Sequence, residues 1–80
     1  MSQGQRVQTW EELFDTPGGY MKTPEGGWRA MTPNGHLGNL DAHDVEEHED
    51  GTITVSPSIL VSDHTGELYH GFLRGGVWEP

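Results

Sequence analysis

Eight residues in one stretch of this chain carry nearly all of its potential chemistry. Asp41, His43, Asp44, Glu46, Glu47, His48, Glu49 and Asp50 crowd carboxylates and imidazoles into ten positions. Such a set suits a hard divalent cation, a transition metal or an acidic contact surface. A calcium loop can be tested by spacing. With Gly51 at the sixth loop position, Glu46, His48 and Asp50 take the first, third and fifth. The twelfth, where a bidentate Glu is required, is Pro57, so the EF-hand pattern fails. His43 and His48 are expected to approach across the base of a predicted hairpin, as a pair for a histidine/carboxylate metal site. The competing reading is a charged face turned to water, and the expectation is no metal and no cofactor. His36, His64 and His70 complete the histidines, whose titration near neutral pH would make an acidic surface pH-sensitive.

Catalytic signatures are missing. Ser56 and Ser58 lack the Gly-x-Ser-x-Gly elbow of a serine nucleophile. The glycine pairs are not followed by Lys-Ser or Lys-Thr, so there is no phosphate-binding loop. An 80-residue chain also has little scaffold with which to preorganise a reaction. The expectation is a non-enzymatic protein.

Charge narrows the partners. Thirteen acidic residues face only Arg6, Lys22, Arg29 and Arg74, a formal net charge of −9. A nucleic-acid surface needs a basic face to neutralise phosphates, which argues against direct DNA or RNA binding. The same charge repels anionic membranes and favours a partner with a basic surface. No apolar run approaches the ~20 residues of a membrane span. The opening residues, Met1 to Gln5, lack the basic and apolar regions of a secretory signal, so an intracellular, cytoplasmic protein is expected.

The elements that would position these residues are short. Eighty residues make one domain with a thin core, and without cysteine there are no disulfides or thiolate zinc sites to reinforce it. Residues 1–8 read as a flexible lead-in and 9–80 as a single β domain. Thr9 and Glu12 are spaced as a capping box, predicting a helix over 9–15. Trp10, Leu13 and Phe14 form one apolar face, expected to dock as a lid on a sheet, with partner binding as the lesser role. Twelve glycines and five prolines then punctuate the chain into antiparallel strands near 20–23, 28–32, 44–48, 52–56, 58–61, 67–73 and 77–78. Gly51 supplies the positive φ of a hairpin turn. Pro57 interrupts an alternating apolar run and cannot donate to a ladder, so it marks an edge, a bulge or a switch into a second sheet layer. The switch is the economical choice, because it lets a small antiparallel barrel or roll close.

Three segments carry a resemblance. Thr32-Pro33-Asn34-Gly35-His36, Ser56-Pro57-Ser58-Ile59 and His70-Gly71-Phe72-Leu73 leading to Trp78 resemble a family of small bacteriophage proteins of unknown function. Family members carry zinc-knuckle-like cysteines where this chain has none, leaving His36 and His70 as the matched potential ligands. The resemblance implies a phage setting, in which small acidic proteins bind and block host proteins.

The leading expectation is therefore a phage accessory protein that inhibits a host or anti-phage defence protein with a basic surface. Asp41, Asp44, Glu46, Glu47, Glu49 and Asp50 would form its contact surface. The alternative is a small-ligand binder that sequesters a nucleotide as a homo-oligomer. Tyr20, Trp28, Asn34, His36, Ser56, Ser58 and His70 would then provide stacking and hydrogen bonds, and Arg29 and Arg74 the positive charge. A minor structural or assembly role ranks third.

Overall fold

The computed structural model describes residues 2–80. Thr9 and Glu12 form the capping box that their spacing predicts. The Glu12 amide donates to Thr9 Oγ1 at 3.1 Å, and the Thr9 amide donates to Glu12 Oε1 at 3.1 Å. They start α1 (Trp10–Asp15), whose Leu13 is fully buried. The remaining elements are strands, so the mainly β expectation holds. They are β1 (Ser2–Gln3), β2 (Gln5–Arg6), β3 (Gly19–Lys22), β4 (Trp28–Met31) and β5 (Leu37–Asn39), then β6 (Asp44–Glu47), β7 (Ile53–Asp63), β8 (Gly66–Arg74) and β9 (Val77–Glu79).

The strands form two sheets, in the orders β1-β9-β8-β7-β6 and β2-β3-β4-β5. Neither closes into a barrel, which corrects that part of the expectation. All pairings are antiparallel except β2 with β3, which is parallel. Alternation within the second sheet separates two cores. Tyr20, Trp28 and Ala30 face the first sheet and pack with Ile53, Val55, Ile59, Leu73 and Trp78. Met21 and Met31, on the opposite face, pack with Val7 and Leu13 under the helix. The molecule is thus layered as helix, small sheet, large sheet.

Three further differences have physical causes. Residues 2–7, read as part of a flexible lead-in, are tied into both sheets: β1 pairs with β9, β2 pairs with β3, and Val7 is buried. Polar residues with no apolar period give no strand signal, and their hydrogen bonds come from partners far away in sequence. Second, the chain changes sheets at Gly4 and not at Pro57. The Gly4 amide donates to Gly76 O at 2.7 Å, and an added Cβ would lie 2.8 Å from that oxygen, so only glycine passes here. Third, β7 runs unbroken from Ile53 to Asp63 in one sheet. Pro57, after a cis peptide bond, sits in a bulge between the pairs Val55–Leu73 and Ile59–Gly71. A bulge suits a residue with no amide proton.

Candidate functional site

The predicted hairpin displays the acidic window at an edge. The His48 amide donates to Thr52 O at 2.8 Å, and Gly51 takes φ 88° in the turn. β6 then lies at the margin of the large sheet, with β7 as its only strand neighbour among the described residues. Pairing divides its side chains. Val45 and Glu47 lie opposite Val55 and Ile53, on the face turned to the core. Asp44 and Glu46 lie opposite Ser56 and Thr54, on the outer face.

The six acidic candidates accordingly split into two groups. Glu47 meets Arg6 at 2.7 Å and Lys22 at 3.5 Å, and both cations lie over the Trp28 ring, 5.1 and 5.8 Å from its centroid. This cluster latches the edge of the large sheet to the small one. Asp41 pairs with Arg29 at 2.8 Å. Asp50 accepts from the Thr52 amide and hydroxyl, shaping the turn. Asp44, Glu46 and Glu49 are exposed, and among the described residues none has an ion pair. The latch was not legible in the sequence, because Arg6, Lys22 and Glu47 are far apart along the chain.

Hydrogen bonding holds the carboxyls of the first group below the ordinary carboxylate range. The chief cause is Arg29 for Asp41, Arg6 for Glu47 and the Thr52 hydroxyl for Asp50. A carboxyl whose pKa is lower in the folded than in the unfolded chain contributes stability above its unfolded value, near pH 4, and loses it as the pH falls through the folded value. The urea midpoint of the native protein should therefore exceed that of Asp41→Asn at pH 6. The gap should shrink as the pH drops through about 4 toward 2. A gap that is independent of pH would contradict the assignment.

Three of the five histidines bond β7, and two of these, His43 and His70, meet at Ser58. His43 Nε2 donates to Ser58 O at 3.0 Å, and its Nδ1 is buried with no partner among the described residues. His48 Nε2 bonds Thr54 Oγ1 at 2.7 Å, and that oxygen also accepts the Gly75 amide. His70 Nε2 bonds Ser58 Oγ at 2.9 Å. Among the described residues no three His, Asp or Glu side chains come close enough together to hold a metal ion.

The residues of the ligand-binding alternative are dispersed. Tyr20 and Trp28 are core residues, 2% and 8% exposed. Asn34 donates to Leu68 O, and the His36 amide donates to Thr32 Oγ1, in the turn after β4. Ser58 and His70 bond each other on the large sheet. Ser56 is exposed opposite Asp44, and Arg74 stacks on Phe72 at 4.4 Å, 3.8 Å from Glu79. An open groove of about 620 Å³ lies between the β3–β4 turn and the segment after β5. Trp28 and Arg29 line it together with Thr23, Glu25, Asp41 and His43. Asp41 already neutralises Arg29, so the groove offers an anionic ligand no net positive charge.

Comparisons with protein-family models, curated proteins and solved structures give no match. No helix among the described residues is long and apolar enough to cross a membrane.

Proposed function

We propose that this chain is a non-enzymatic binding protein whose acidic edge docks on a basic surface of another protein. In the phage setting that the resemblance implies, the partner is a host or anti-phage defence protein, blocked in the cytoplasm of the infected cell. One observation carries the reading. Three acids, Asp41, Glu47 and Glu79, take up all four cations, and the other ten of the thirteen acids have no lysine or arginine within ion-pair distance among the described residues. The negative field is therefore not compensated within the molecule. Fields of this kind speed the encounter with an oppositely charged partner and weaken as salt screens them. Asp44, Glu46 and Glu49 are the members of the window that can be spent on a partner without breaking a contact within the fold. The nucleotide-sequestering alternative has less support, since its residues lie in separate places and its cations are paired.

The test uses a panel of purified host nucleic-acid-binding proteins. A complex should form at low salt and weaken as salt is raised. Asp44→Asn, Glu46→Gln and Glu49→Gln combined should weaken it about 10–100-fold, mainly through the association rate, with the melting temperature unchanged. A panel that gives no salt-sensitive complex, or a triple variant that binds like the native protein, would overturn the proposal.

A further inference from the structure

The apolar face of α1 does not all dock. Leu13 is fully buried against the small sheet, whereas Trp10 is 40% and Phe14 57% exposed. Their rings stack with centroids 6.1 Å apart and planes 28° from parallel, so they form one continuous aromatic surface. Two large exposed aromatics side by side make a contiguous apolar patch, and Trp is among the residue types enriched at interface anchors. The capping box and Leu13 hold the short helix in place. Little conformational freedom would then be lost when the rings are covered.

The charge around the rings selects the occupant. Glu11, Glu12 and Asp15 lie on the same short helix, and no lysine or arginine pairs with any of them among the described residues. A second copy would bring two such helices together and crowd their carboxylates without a counter-charge. An anionic bilayer or a nucleic acid would be repelled for the same reason. A protein groove with an apolar floor and an arginine or lysine rim satisfies both features, since guanidinium and ammonium groups are attracted by aromatic faces and by carboxylates. We infer that Trp10 and Phe14 are the anchor for such a groove, entered by α1 as a helix. This contact is on the helical layer, and β6 is on the large sheet, so it is a second surface distinct from the acidic edge. It rests on the reading that the partner is basic.

Trp10 reports on its own environment, because Trp28 and Trp78 are only 8% and 1% exposed. The full chain is titrated with three synthetic helical peptides: one with a leucine stripe flanked by arginine, its leucine/glutamate counterpart, and an arginine peptide without leucine. The leucine/arginine peptide should blue-shift the emission and protect it from acrylamide, more strongly than the other two. Phe14→Ala should weaken that binding about tenfold or more. Glu11→Gln with Asp15→Asn should also weaken it and leave the aromatic pair in place. The Asp44→Asn, Glu46→Gln, Glu49→Gln variant should bind the peptide within about twofold of the native protein, which separates failure here from failure of the acidic edge. Absence of binding, equal binding of the glutamate peptide, no effect of Phe14→Ala, a dimer in light scattering, or an equal shift with phosphatidylcholine vesicles would each overturn the inference.

Discussion

Trp78→Ala should cost about 3–5 kcal/mol, a large share of the stability of an 80-residue domain, and lower its urea midpoint sharply. Trp78 is 1% exposed in β9, between β1 and β8. Its indole Nε1 donates to Gly18 O at 2.8 Å, a bond from the large sheet to the loop that leads into the small one. Tyr69 meets its ring edge-on at 5.6 Å, an arrangement that adds to simple burial. Truncation to alanine therefore empties the centre of the inter-sheet core and leaves the Gly18 carbonyl with only the longer bond from the Gln5 amide, at 3.3 Å. Trp78→Phe separates the two losses. It keeps an aromatic ring, gives up the bond to Gly18, and should cost about 1–3 kcal/mol. Urea unfolding followed by circular dichroism measures both, and a midpoint unchanged in Trp78→Ala would contradict the packing described.

Gly76→Ala should cost about 2–4 kcal/mol, combining the left-handed backbone penalty with overpacking. Gly76 has φ 79° in the β8–β9 turn. A Cβ there would lie 2.9 Å from Thr52 Cγ2 and 3.0 Å from the Tyr20 hydroxyl. The same residue donates to Ile53 O at 3.0 Å and accepts from Gly4 at 2.7 Å. Movement to relieve the clash would strain the point where β1, β7 and β9 meet. Gly75→Ala is the control: its φ is also positive, at 57°, but a Cβ there would meet nothing within 4 Å. It should cost only the backbone share, about 1–2 kcal/mol. Equal midpoints for the two variants would show that the close approach is not felt.

Local signals were legible. The capping box at Thr9 and Glu12, the turn at Gly51 and the strands around it each depend on neighbours within a few positions. Long-range choices were not. Residues 2–6 carry no strand pattern and gain their pairing only because β9 and β3 pass beside them. The run through Pro57 shows both at once. Its missing amide proton marks an interruption, yet whether that becomes a bulge or a change of sheet depends on β8, which stays paired on both sides of it.

The two tryptophans make the same point for function. Trp78, close to the end of the chain, points inward, whereas Trp10, on a face patterned for docking, stays exposed. Residue type and period establish that a side chain is apolar, but not whether the fold has room for it. The six-residue helix covers only the small patch of Val7, Met21 and Met31, and Leu13 is enough to fill it.

By itself the sequence determined the strands that became β3, β4, β6, β7, β8 and β9 with their turns, the capped helix, and the excess of acid over base, because these depend on composition and near neighbours. Only the tertiary structure decided which acids are consumed. Arg6, Lys22 and Arg29 fold back onto Glu47 and Asp41, leaving Asp44, Glu46 and Glu49 exposed on the edge strand. Charge is additive along a chain, but its neutralisation requires groups to meet in space, and that is set by the packing of the two sheets.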